Sequence, residues 1–243
     1  MTEETFKVRY YETDARGALP LWALQNYFQE TAGIDAHKLS FGAEELGPKG
    51  VAWALTKMQF KFSAPAVNQK SVKVKTWHHI CEKVQSRREF IIYGQDGQEI
   101  VKGITWWIIL DLEKRKIMRT PQGLMDLNAS NPPAVMEANI LKAPAFDGIA
   151  PLNSYEVIAR LEDIDSNGHV NNVHFSAWAL GGVPAEVYQN KRLDDVFINF
   201  KNEVMLGDKI AVNTYAHSEA GYWHILTRPD DGKEIAAIYT SWK

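Results

Sequence analysis

The chain has 243 residues, enough for one large domain or two modest ones with a sizeable buried core. Apolar residues make up 45% and charged residues 23%, an ordinary globular balance, and the net charge of −3 argues against a general nucleic-acid binder. The single cysteine, Cys81, excludes an intrachain disulfide framework and a cysteine-based zinc cluster, and fits a reducing compartment.

No apolar run approaches the ~20 residues of a membrane span. The start, MTEETFKVRYYETD, lacks the marks of a secretory or transit signal, so a cytoplasmic location is expected. Along the chain, a short strand leads into the polar turn ETDARG. Leu21, Leu24, Phe28 and Thr31 then recur at helical spacing and predict a helix over about 21–36. Strands are expected at 52–62, 71–80, 86–94 and 100–112, the last two joined through GQDGQE, a turn of the Asp-Gly kind. Residues 121–151, with Pro121, Pro132, Pro133, Pro144 and Pro151, read as a linker long enough to hold a short helix. A second helix is expected over about 171–180, followed by strands near 196–204, 209–217, 222–228 and 234–242. One long helix against antiparallel strands is an α+β arrangement.

The elements come twice because the chain repeats itself. VRYYETDARGALPLWALQNYFQETA, from Val8, resembles VIARLEDIDSNGHVNNVHFSAWAL, from Val157, with Asp14 on Asp165 and Gly17 on Gly168. MQFKFSAPAV, from Met58, matches INFKNEVMLG, from Ile198, which sets Phe60 on Phe200 and Ser63 on Glu203. DGQEIVKGITWW matches DGKEIAAIYTSW. The order is kept, so a duplication is the simplest reading. It divides the chain into a module at 1–120, a linker at 121–151 and a second module at 152–243.

The copies differ where chemistry is expected. The second carries DIDSNGHVNN just before its helix, with Asp163, Asp165, Asn167, His169, Asn171 and Asn172. Asp, Asn and Gly suit turns and helix caps, which accounts for some of them. The first copy keeps the acid and the glycine in ETDARGALPL but lacks the histidine and all three asparagines. A purely structural need would hold in both halves, so the cluster is read as a site. Glu203, placed in an apolar strand, is costly unless exposed or paired, and is taken as a carboxylate aimed at the Asp165 turn. Cys81 lies in a strand beside His78 and His79, whose side chains alternate across the sheet, so a packed thiol is preferred to a nucleophile. His174, His217 and His224 have no metal-ligand spacing, and neither metal nor cofactor is expected.

The pattern DIDSNGHVNN, a following helix with Trp178 and a strand ending KNE resembles the acyl-acyl carrier protein thioesterases of plants and bacteria. VRYYE, TWHHICEKVQSRREFIIYGQDG and ITWWIILDLEKRK extend the resemblance over nearly the whole chain. It implies a double hotdog fold, two sheets each wrapped around a long helix, with the acyl chain bound largely by the N-terminal module. It also implies a catalytic set of Asp165, Asn167, His169 and Glu203. Many plant members follow that glutamate with a cysteine, and here Val204 stands there, so a cysteine mechanism is not expected.

The expected activity is hydrolysis of fatty acyl-carrier thioesters, with Asp165 or Glu203 as base or nucleophile and His169 and Asn167 orienting the water. Backbone N–H groups at the start of the second helix are candidate oxyanion donors. An acyl-CoA thioesterase, a hydroxyacyl-thioester dehydratase and a silent acyl-binding module are the alternatives. The expected partner is an acyl carrier protein bearing a fatty acyl phosphopantetheine, with Arg87, Arg88, Lys114, Arg115, Lys116, Lys191 and Arg192 as docking candidates. The chain is expected to act as a monomer or homodimer. Leu24, Phe28, Ile34, Leu39, Trp53, Leu55 and Met58 are core residues or walls of an acyl tunnel.

Overall fold

A computed structural model describes residues 1–243 and resolves into two compact units, Met1–Ala138 and Asn139–Lys243. The first contains strand β1 (Thr2–Lys7), helix α1 (Leu21–Lys38), the short helix α2 (Ala43–Leu46), strands β2 (Val51–Phe62), β3 (Ser71–Cys81), β4 (Ser86–Gly94), β5 (Glu99–Asp111) and β6 (Lys116–Ile117), and helix α3 (Gln122–Met125). Its strands lie in the order β1-β3-β4-β5-β2, every pairing antiparallel, with β6 also paired to β5.

Helix α1 forms because its apolar positions keep one face of a 3.6-residue period. Leu21, Leu24, Phe28 and Thr31, the residues that predicted it, are all 1% exposed or less. The helix runs two residues past the predicted end, to Lys38, and His37 and Lys38 suit the negative end of its dipole. Phe28 is the centre of the packing. Its ring stacks on Phe90 at 4.3 Å and on Phe60 at 5.5 Å between centroids. Gly103 lies opposite both partners in the sheet, and a Cβ there would come 2.5 Å from the Phe28 ring. Burying a phenylalanine of this kind is worth about 1.5–3 kcal/mol.

The second unit contains β7 (Asn153–Ile158), α4 (Asn172–Gly181), α5 (Ala185–Asn190), β8 (Leu193–Phe200), β9 (Lys209–Ser218), β10 (Gly221–Arg228) and β11 (Lys233–Trp242). Its strand order, β7-β9-β10-β11-β8, is the order of the first unit element for element. The stretch expected to be a linker holds α3 and a 3-10 turn at Asp126–Ser130. Asn128 ties that turn to β3, accepting from the Cys81 N–H and donating to its carbonyl, both at 2.8 Å.

Sheet register corrects one part of the repeat. Phe62 faces Val101 as Phe200 faces Ala236, and Ser63 and Lys201 donate to the equivalent carbonyls of Ile100 and Ile235. Phe200 therefore corresponds to Phe62, not Phe60, and Glu203 to Pro65, not Ser63. The sequence match was two residues out of step. A strand has a side-chain period of two, so such a slip preserves the inside-outside pattern and leaves no mark on hydropathy.

Candidate active site

The site begins as a tight turn. The Asp165 N–H donates to the His169 carbonyl at 2.9 Å, and Gly168 N–H returns to the Asp165 carbonyl at 3.0 Å. Gly168 has φ +79°, which only glycine adopts without strain. The Asp165 carboxylate accepts the Asn167 N–H at 2.8 Å and, weakly, the Asn167 side-chain amide at 3.4 Å. An aspartate that binds the backbone two residues on stabilises a turn by itself.

The first unit makes the same turn. Asp14 N–H donates to Ala18 O at 2.8 Å, Gly17 N–H to Asp14 O at 2.9 Å, and Gly17 has φ +69°. Asp14 accepts the N–H of Arg16 at 2.9 Å and the Arg16 guanidinium at 2.9 Å. Burial pushes the Asp14 carboxyl up, but hydrogen bonds from Ala18 and Arg16 and the charge of Arg16 hold it below the usual carboxylate range. The turn thus explains the acid and the glycine in both units. It does not explain Asn167 and His169, which stand where the first unit has Arg16 and Ala18.

A second chain segment meets this turn. Val170 N–H donates to Val204 O at 2.8 Å, which ties the turn to the residues after β8. Glu203 lies in that segment, beyond the end of β8 at Phe200 and not within the strand as expected. Its carbonyl accepts from Arg228 at 2.9 Å. Its carboxylate approaches His169 Nε2 at 3.6 Å, with the glutamate side chain 49% and the histidine 35% exposed. A glutamate here incurs little desolvation because it has left the apolar strand. The structure therefore sets out two side-chain pairs, Asp165 with Asn167 and His169 with Glu203, joined through the turn backbone.

The expected backbone oxyanion donors are in part already engaged within the fold. Asn171 caps α4, accepting Val173 N–H on its side chain at 3.2 Å and His174 N–H on its carbonyl at 3.0 Å. Asn171 N–H itself goes to Asp163 O at 2.8 Å. These groups serve the fold. Asp163, almost fully buried, accepts from Arg160 N–H at 2.8 Å and meets His174 Nδ1 at 3.1 Å, so it braces the turn from behind.

Two further expectations change. Arg88 is not a docking residue: it is buried and donates to Asp35 at 2.6 Å. Arg87 is spent on Glu89 at 2.5 Å. Lys114, Arg115, Lys116 and Arg192 remain at the surface. Cys81 is 4% exposed, and burial pushes its thiol up, against hydrogen bonds from Thr120 and Ser86. Of the proposed tunnel walls, Leu24, Phe28 and Met58 are packed core. Leu39 and Trp53 line a cavity of about 180 Å³ within the first unit. Sequence reading missed the other walls of that cavity, because Ala32, Gly33 and Ala36 look like filler until α1 sets them on one face.

The acyl-ACP thioesterase N-terminal domain profile matches residues 1–127, and the C-terminal domain profile matches residues 150–243. A chloroplastic palmitoyl-acyl carrier protein thioesterase from Cuphea hookeriana is 25% identical over 256 residues, covering 99% of this chain and 61% of the relative. The chain spans 61 to 62% of the length of the first plant relatives it matches. An acyl-ACP thioesterase structure from Bacteroides thetaiotaomicron superposes with a TM-score of 0.88 at 22% identity, covering 100% of this chain and 97% of that one. The 12:0-ACP thioesterase from Umbellularia californica gives 0.87 at 18% identity, covering 100% and 96%. These two establish the tandem hotdog fold, α+β in class. The chain belongs to the acyl-ACP thioesterase family.

Proposed function

We propose that this chain hydrolyses fatty acyl thioesters of acyl carrier protein to free fatty acid and carrier thiol, in the cytoplasm, with Asp165, Asn167, His169 and Glu203 as its catalytic residues. One observation carries the reading. The two units share the aspartate turn, and only the second adds an amide and an imidazole–carboxylate pair to it.

Hydrolysis needs a base for water, a donor for the developing oxyanion and a leaving group that departs without help. Glu203, exposed and 3.6 Å from His169, is the group placed to take a proton from water, with the imidazole orienting both. The water oxygen bonds to the carbonyl carbon, the carbonyl electrons move to oxygen, and the C–S bond then breaks. The carrier thiolate departs with that electron pair and takes up the proton. Asp165 is committed to Asn167, so its part is to hold the amide, whose N–H is the side-chain donor available to the oxyanion. Buried Cys81 suits no nucleophilic part. The cavity of the first unit is proposed as the seat of the acyl chain.

The test is thiol release from carrier-bound acyl thioesters of graded length, with coenzyme A thioesters alongside. Faster turnover of the carrier-bound series supports the reading. Turnover of coenzyme A esters alone would reassign the partner, and hydrolysis of neither would remove the activity.

A further inference from the structure

One wall of the first unit's cavity has a counterpart in the second unit that is covered. The register that sets Phe62 on Phe200 also sets Ile100 on Ile235, and hence Thr105 on Thr240 and Trp107 on Trp242. Both indoles are pinned alike, Trp107 Nε1 donating to Thr105 Oγ1 at 2.7 Å and Trp242 Nε1 to Thr240 Oγ1 at 3.1 Å. Their surroundings differ. In the second unit α4 ends at Gly181, and Tyr188 of α5 meets Trp242 edge-on at 5.9 Å between centroids. Trp242 is 5% exposed. In the first unit α1 runs on to Lys38, and Trp107 stays half-buried on the lining of the cavity.

What α1 brings to this cavity is small. Ala32, Gly33 and Ala36 lie on its lining, and Gly33 is exposed at its rim. Gly33 sits inside the helix without a left-handed backbone, and a Cβ built on it meets nothing within 4 Å. Neither a turn nor a close packing contact therefore calls for glycine, which destabilises a helix interior relative to alanine. The polar groups on the lining are held by the protein. Arg88 donates to Asp35 at 2.6 Å, and His78 meets Ser86 and Asn128. The apolar walls decide what the cavity takes. At about 180 Å³ it exceeds the roughly 150 Å³ of an apolar cavity that stays dry and takes up a benzene. That is room for the end segment of a hydrocarbon chain, not for the whole of a long one.

We infer that Gly33 and Trp107 set the longest acyl chain this protein accepts, the end of the chain covering the Trp107 ring as Tyr188 covers Trp242. Gly33 keeps the rim open, and Trp107 is the wall that the chain end meets. A side chain at position 33 takes space from the acyl chain, and a smaller one at position 107 returns it. The inference rests on the proposed function, in which this cavity seats the acyl chain, and it names the two residues that limit the length.

Two measurements on the full chain test it. The first is kcat/KM over carrier-bound acyl thioesters of graded length. Gly33→Leu is expected to move the optimum to shorter chains and to lower the ratio of long-chain to short-chain kcat/KM by about tenfold, the order of a methylene excluded from an apolar pocket. Trp107→Leu should move the optimum the other way. Gly33→Ala separates space from stability: its thermal midpoint should rise by about 1–4 °C while the same ratio falls. The second measurement needs no turnover. Fatty acids brominated at the terminal carbon quench the fluorescence of a tryptophan they touch. The quench is expected to shrink in Trp107→Phe and in Gly33→Leu, with circular dichroism confirming the fold of each. An unchanged length profile in a folded Gly33→Leu, or a quench equal in the parent and both variants, would overturn the inference. If no thioester is hydrolysed at all, the proposed activity fails, and the quench alone decides this one.

Discussion

Asn167 and His169 are the residues in which the two units part company. They are also residues that the turn itself does not require, because it closes equally well over Arg16 and Ala18. Asn167→Ala should therefore lower kcat by about a hundredfold, the usual cost of one oxyanion donor, and leave the thermal midpoint nearly unchanged. Loss of stability without loss of turnover in that variant would make Asn167 a turn residue only. Cys81→Ser should stay active, since a thiol at 4% exposure has no access to substrate. The contrast between repeats made Asn167 and His169 legible in the sequence as candidates, and Asp165 came with them as the acid of the same turn. Glu203 was legible as an odd charge, but its place was not. The strand pattern seemed to run on to Val204, and only the hydrogen bond from Val170 to Val204 shows that the chain has left the sheet to meet the turn.

At the scale of elements, period and punctuation were enough to find nearly every strand and both long helices. Alternation in SVKVKTWHHIC and SRREFIIYG marks half-buried strands, and the turn at Asp96 and Gly97 marks the end of the second. Packing between elements was not legible. Nothing in KGITWW announces that Gly103 receives the face of Phe28, since a glycine in a strand also marks bulges and bends. The close approach makes a prediction: Gly103→Ala should destabilise the protein by about 1–3 kcal/mol through displacement of the Phe28 ring. A urea titration checks it, and a variant as stable as the parent would mean that the aromatic stack yields without cost. The polar residues on the cavity lining were equally hidden. His78, Ser86 and Arg88 stand on two strands, and their burial depends on α1 covering them.

The whole molecule is a duplicated fold in which stability and chemistry are distributed differently. The second unit carries a buried polar centre that has no part in the site. His224 is fully buried, with Thr214 Oγ1 at 2.9 Å from one ring nitrogen and Thr240 Oγ1 at 3.1 Å from the other. Burial pushes this imidazole down to about 3, against an ordinary value near 6.5. The unfolded chain therefore binds a proton below about pH 6.5 that the folded chain refuses until about pH 3. Stability is complete above that window and falls through it by about 1.4 kcal/mol per pH unit. His78, held near 4 by burial and by Arg88, adds the same sign over a narrower window. His224→Gln should reduce the slope of unfolding free energy between pH 6 and pH 4 by about that amount per unit, whatever its own cost at pH 7. An unchanged slope would show that the ring already titrates in the folded protein.

The duplication also supplies its own control, because Asp14 and Asp165 occupy the same turn in the two units. The most direct measurement is kcat on a carrier-bound acyl thioester for Glu203→Gln, with Asp14→Asn assayed beside it. The account predicts a fall of about a hundredfold to ten-thousandfold for Glu203→Gln, the range set by loss of a general base. Asp14→Asn should stay within about twofold of the parent. Near-parental turnover by Glu203→Gln, or collapse of turnover in a folded Asp14→Asn, would place the chemistry outside the His169–Glu203 pair.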